Sequence, residues 1–141
     1  MGIPEPCAAY ANYEDLVADP NVDVVYVATP HSHHYQNVML ALSAGKNVLC
    51  EKAFTVNAAQ AKILCDTARE KGLFLMEAVW TRYFPLCVQL REDIRSGQIG
   101  EVLRTVADTS FGENVEETWG TEHRMVNPDL AGGALLDCKC R

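Results

Sequence analysis

The sequence predicts an α/β fold: a partial, doubly wound parallel sheet, followed by the start of an α+β, largely antiparallel region. Three observations carry that reading. Short β-branched runs alternate with amphipathic helical stretches, the connections between them are tight, and the texture changes after Met76.

Asn12 to Asp19 reads as one short helix. Asn12 is its N-cap, and Glu14 and Asp15 occupy the first turn, where the helix dipole favours negative charge. Pro20-Asn21 ends it. Val22 to Ala28 (VDVVYVA) is an almost unbroken β-branched and aromatic run, the pattern of a strand buried on both faces. Thr29-Pro30-His31-Ser32 breaks that strand. A helix is expected from about 33 to 43, with Tyr35, Val38 and Leu42 at compatible spacing and Gly45 just past its end. Asn47 to Cys50 forms the next strand. Asn57 caps a helix whose apolar stripe is Ala61, Leu64, Cys65 and Ala68; Gly72 stops it, and Leu73 to Met76 forms a third strand. This alternation specifies parallel strands joined by right-handed crossover helices.

Beyond Met76, Pro85 to Ser96 is amphipathic, with Leu86, Leu90 and Ile94 on one face. Glu101 to Phe111 then alternates apolar and polar residues, as a half-exposed antiparallel strand does. A domain boundary is placed near Gly97, giving residues 1–97 and 98–141. A dinucleotide-binding fold opens on a strand, a Gly-x-Gly-x-x-Gly turn and a helix. None of the nine glycines forms that turn, and residues 98–141 are too few to bury a core of their own. The chain is therefore expected to be a fragment of a longer protein.

Composition narrows the function classes. With 48% hydrophobic and 22% charged residues, usage is that of an ordinary globular domain. No run approaches 18 consecutive apolar residues, so no membrane span is expected, and the N-terminus lacks a secretory pattern, which gives a cytoplasmic expectation. The net charge of −7, with Lys and Arg scattered singly, argues against nucleic-acid binding. A nucleotide cofactor stays open, because its phosphates are held mostly by backbone N–H groups. The six cysteines read as reduced thiols, with Cys50, Cys65 and Cys87 inside apolar or helical patterns as small hydrophobes. Cys138 and Cys140 have no second pair and so do not read as a zinc site.

Four segments carry candidate chemistry. The break at Thr29-Pro30-His31-Ser32-His33-His34 follows a strand, where open α/β sheets bind ligands. Its histidines raise a metal reading, but no nearby carboxylate or Cys completes a ligand set; solvent-facing turn residues and a cofactor-lining loop are the alternatives. Glu51-Lys52 follows the next strand. A Glu-Lys pair there is either a solvated loop or, more sharply, a lysine beside a nicotinamide that relays a proton from an alcohol. Trp80 and Arg82 sit among aromatics after the third strand. They serve either as interdomain packing or to stack on a ring and grip a phosphate. Gly132-Gly133 enters a helix ending in Asp137, a turn in the plain reading and an acceptor for a substrate hydroxyl in the other.

Taken together, these segments resemble the glucose-fructose oxidoreductase, inositol dehydrogenase and rhizopine-catabolism (Gfo/Idh/MocA) family. The matching stretches are Tyr26 to His34 (YVATPHSHH), Ala44 to Lys52 (AGKNVLCEK), Leu73 to Pro85 (LFLMEAVWTRYFP) and Ala131 to Asp137 (AGGALLD). The resemblance implies a Rossmann-type cofactor domain over 1–97 and the opening of a substrate and oligomerisation domain over 98–141. It also implies that Lys52 is the catalytic lysine of a Glu-Lys-Pro motif. Thr29, Pro30, His31, His34, Glu51, Lys52, Trp80 and Arg82 would line the cofactor, and Arg124 and Asp137 the substrate. Ala53 departs from the motif's proline, and after Asp137 the family's Gly and His or Tyr give way to Cys138-Lys139-Cys140-Arg141.

The activity so implied is hydride transfer to NADP, with NAD as the alternative cofactor. The substrate would be a sugar such as D-xylose, giving D-xylono-1,5-lactone, or a trans-dihydrodiol. The protein would be a homo-oligomer without a metal. A non-catalytic sugar- or nucleotide-sensing regulator on the same fold is the second reading, and an inactive fragment the third. Retention of Glu51-Lys52 favours the enzyme.

Overall fold

A computed structural model describes residues 7–108, 112 and 114–137. They fall into two compact units, Met1–Ala78 and Val79–Arg141. In the first, three strands, β1 (Val24–Val27), β2 (Asn47–Glu51) and β3 (Leu75–Ala78), form a parallel sheet in the order β1-β2-β3. The helices α1 (Tyr13–Ala18), α2 (His31–Ser43) and α3 (Ala58–Lys71) alternate with them, as expected of a Rossmann-type sheet.

Local chemistry sets the element ends. The Asn12 side chain accepts the Asp15 N–H at 2.7 Å, and Asn57 accepts that of Gln60 at 2.9 Å; each satisfies a donor that the helix start leaves orphaned. Gly72 takes the left-handed conformation, φ 66°, that closes α3. Several boundaries differ from expectation by one or two residues, and two of these have a plain cause. Helix α2 begins at His31 rather than near residue 33, because Pro30 stands at the N-cap and its carbonyl already accepts the His33 N–H. Strand β3 begins at Leu75 rather than Leu73, because the Leu73 N–H is spent on the Ala68 carbonyl that closes α3.

Side chains from both crossover helices meet one face of the sheet. Val38, Ala41 and Leu42 of α2 and Leu64 and Ala68 of α3 form one core with Val27, Val48 and Cys50. Two expectations fail here. The first strand is not buried on both faces: Val24 and Tyr26 are more than half exposed, since no element among the described residues covers their side of the sheet. Cys65 is exposed rather than part of the α3 stripe. One position past Leu64, it is turned about 100° round the helix, and a seam through Leu64 and Ala68 is too narrow to reach it.

The second unit holds a 3₁₀ turn (Trp80–Tyr83), α4 (Pro85–Arg95), α5 (Val115–Trp119), a second 3₁₀ turn (Pro128–Leu130) and α6 (Ala134–Asp137). Pro85 at the first position of α4 loses no hydrogen bond there. The strand expected over 101–111 is absent from residues 101–108; the rest of that stretch lies outside the described residues. Its alternation needs a neighbouring strand to pair with, and none of the described residues supplies one. Leu103 and Val106 are correspondingly exposed, as are Leu86, Leu90 and Ile94 on α4.

Two predictions follow from the first core. Leu42 is fully buried, so Leu42→Ala should lower stability by ~2–5 kcal/mol in urea unfolding. Burial, and then the charges of Glu77 and Glu51, push the Cys50 thiol up to about 12. The unfolded thiol ionises near 9.0, so the folded state alone keeps its proton between the two values. Stability should hold below that lower value and fall above it by up to about 1.4 kcal/mol per pH unit. Cys50→Ala should make the decline shallower by that one-proton contribution, measured as unfolding midpoints against pH.

Candidate functional site

The site is built at the carboxyl ends of the parallel strands. Val27 pairs with Cys50, and Cys50 with Glu77, so the chain leaves neighbouring strands side by side at Thr29 and Lys52. A crevice at that edge of an open α/β sheet is where ligands bind.

One buried side chain joins the two loops. His34, in the first turn of α2 and fully buried, holds the Ala53 carbonyl against Nδ1 at 2.7 Å and the Thr29 carbonyl against Nε2 at 2.9 Å. The buried His31 ring meets it edge-on, with centroids 5.6 Å apart. Asn37, one turn further along α2, donates to the Thr29 hydroxyl at 3.2 Å. Thr29 is thus held by both its carbonyl and its side chain. Pro30, half-buried, is the N-cap of α2.

The second loop is tied from the other side. The Tyr26 hydroxyl donates to Glu51 Oε1, while Glu51 Oε2 accepts the Lys52 N–H at 3.1 Å. The carboxylate keeps the Tyr26 hydroxyl protonated, which raises its pKa, with partial burial adding to the effect. Lys52 is half-buried, Ala53 is buried, and the peptide bond between them is cis. Beyond Ala53, the Phe54 N–H donates to Glu77 Oε1 of β3 at 2.9 Å. Hydrogen bonds, the His34 ring and the Ala53–Phe54 peptide therefore run unbroken across three strand tips, from Thr29 to Glu77.

Thr29, Pro30, His31, His34, Glu51 and Lys52 are thus gathered at one edge of the first unit. In the second unit, Trp80 and Arg82 share one 3₁₀ turn; the Trp80 ring packs edge-on against Phe84, centroids 5.0 Å apart, and Arg91 donates to the Arg82 carbonyl. Arg124 and Asp137 also come together. The exposed guanidinium lies 3.5 Å from the buried carboxylate. Gly132 makes this approach possible: a Cβ there would stand 2.6 Å from the Arg124 carbonyl and 2.8 Å from that of Asn127.

Tyr26, Asn37 and Glu77 hold the site together, yet none stands out in the sequence. Glu77 carried a faint signal. It continues the two-residue period of Leu75 onto the covered face of β3, and a carboxylate on a covered face needs a donor. An apolar cleft of ≈ 100 Å³ lies along the outer edge of β1; Val25, Val27, Thr29 and Leu40 line it, and Lys52 does not.

Residues 2–79 match the family described as "Oxidoreductase family, NAD-binding Rossmann fold" (GFO_IDH_MocA). The D-xylose 1-dehydrogenase (NADP(+)) of Hypocrea jecorina is 67% identical over 91% of this chain and 34% of its own length. The trans-1,2-dihydrobenzene-1,2-diol dehydrogenase of Macaca fuscata fuscata is 49% identical over 92% of this chain and 37% of its own. The chain thus spans about a third of the length of these curated relatives. A crystal structure of an NAD binding oxidoreductase from Klebsiella pneumoniae superposes with a TM-score of 0.62 at 40% identity, over 66% of this chain and 25% of that one. A parallel three-stranded sheet with alternating helices and a family match over more than half its residues show that this chain belongs to the Gfo/Idh/MocA oxidoreductases.

Proposed function

We propose that the protein containing this chain is an NADP-dependent dehydrogenase acting on CH–OH groups, with NAD as the alternative cofactor. Its substrate is a sugar, D-xylose going to D-xylono-1,5-lactone, or a trans-dihydrodiol. The observation that carries the reading is the bracing of the Thr29 loop to the Lys52 loop at adjacent strand tips. The similarity to proteins named for those two activities supports the substrate class.

The residues present fit a nicotinamide dinucleotide. The start of the thirteen-residue helix α2 faces the crevice edge, and its orphaned N–H groups favour an anionic or dipolar partner. Thr29, Pro30, His31, His34, Glu51, Lys52, Trp80 and Arg82 line the cofactor in this reading. A bound NADP⁺ supplies the hydride acceptor. Lys52 takes the hydroxyl proton as the carbinol C–H bond breaks, so that the alcohol becomes a carbonyl. An amine does this only in its neutral form. Asp137 accepts from a substrate hydroxyl, and Arg124 fixes that carboxylate.

Residues 1–97 form the second part of the cofactor domain and 98–141 the opening of the substrate domain. The protein is a cytoplasmic homo-oligomer, and the exposed Leu103 and Val106 are apolar surface of the kind such an assembly covers. No helix among the described residues is long and apolar enough to cross a membrane.

The test is the rate of nicotinamide reduction by the full-length protein with NADP⁺ and D-xylose or a trans-dihydrodiol. Lys52→Ala should lower kcat by ~10²–10⁴-fold with NADP⁺ affinity retained. An unchanged kcat rejects the role of Lys52. Cofactor binding without turnover of any sugar or diol would point instead to the sensing reading.

A further inference from the structure

Strand register places Tyr26 opposite Leu49, so Glu51, two residues further along β2, lies on the same face of the sheet. That is the face away from the core, where Tyr26 is more than half exposed. A diagonal neighbour at this spacing is within reach of a side chain as long as tyrosine. The contact is made: the Tyr26 hydroxyl meets Glu51 Oε1. A carboxylate has no proton to give, so the hydroxyl donates, and the same carboxylate raises the Tyr26 pKa. The other oxygen, Oε2, accepts the N–H of Lys52, the first residue past β2, at 3.1 Å. We propose that Tyr26 is a positioning residue for the reaction: it fixes the Glu51 carboxylate and, through it, the backbone that carries the Lys52 amine.

A glutamate at a strand end is otherwise drawn into water, because ordering its three torsions for one local N–H costs side-chain entropy. Tyrosine is a stiffer anchor, with two torsions and a ring seated on β1. The bond it donates is charge-assisted, the stronger class of hydrogen bond. The covered face of the sheet holds the same loop one and two residues further on. There His34 meets the Ala53 carbonyl at 2.7 Å, and Glu77 accepts the Phe54 N–H at 2.9 Å. The lysine loop is therefore gripped from both faces, and loss of the Tyr26 hydroxyl leaves it tied from one.

For turnover this role rests on the dehydrogenase reading. In the full-length protein, Tyr26→Phe removes only the hydroxyl of an exposed ring, so the fold should stand. The kcat should fall roughly tenfold, the scale of one hydrogen bond to a charged group, with NADP⁺ affinity retained. Unchanged kcat, or weaker NADP⁺ binding with kcat retained, overturns the role. In a Glu51→Ala background the same substitution should lower kcat no further, because the tyrosine acts through that carboxylate. Two effects that multiply overturn the role as well.

A second measurement needs no turnover. With ¹⁵N-lysine labelling of the full-length protein, the Lys52 and Lys62 amides are each assigned as the signal lost on substitution by alanine. The Lys52 amide should move in Tyr26→Phe, while that of Lys62 on α3 stays in place. An unmoved Lys52 amide overturns the brace. Absence of dehydrogenase turnover in the unaltered protein would overturn the function proposed above, and the brace would then stand or fall on the amide alone.

Discussion

Two carbonyls, one at the end of each of two neighbouring strands, find their hydrogen-bond partner in the same buried ring. Parallel strands leave their carboxyl ends with backbone groups that the ladder no longer pairs, and burying them unpaired is costly. His34 resolves this for Thr29 and Ala53 together. Asn37 then holds the Thr29 hydroxyl, and Glu77 the Phe54 N–H. The loops at this edge owe their arrangement to donors and acceptors drawn from α2 and β3, together with the packing of Phe54 against the core. Catalytic geometry needs loops that are held in place in this way.

Packing explains why those donors are where they are. Strands in the order β1-β2-β3 with right-handed crossovers place both α2 and α3 on one face, so a single core anchors the helix that carries His34. Val38 and Leu42 fix α2 by its buried stripe, four and eight residues beyond the histidine on the same side of the helix. The opposite face of the sheet keeps Val24 and Tyr26 exposed. There Tyr26 does polar work, holding the Glu51 carboxylate beside the Lys52 backbone.

Much of this was legible in the residues. Hydrophobic period, Asn caps and glycine stops located every element of the first unit to within two residues, because each signal is local. The Thr29-Pro30 break and Glu51-Lys52 were legible as strand-end loops, and pairing of the strands made them neighbours. What stayed hidden depends on contacts far apart in sequence. Glu77 reaches Phe54 across 23 residues and Tyr26 reaches Glu51 across 25, distances that no periodicity encodes. The strand expected over 101–111 failed for a related reason: alternation announces a strand only if a partner strand lies beside it. Cys65 was misjudged because the buried seam of α3 is one residue narrower than a full amphipathic stripe.

In the proposed dehydrogenase, the Thr29 loop and the Lys52 loop close on one nicotinamide ring. Intermolecular proton contacts from the nicotinamide of bound NADP⁺ in the full-length protein test it most directly. Contacts to both the Thr29 methyl and the Lys52 side chain are the predicted result. Contacts to neither, with the Lys52 amine turned to solvent, would contradict it.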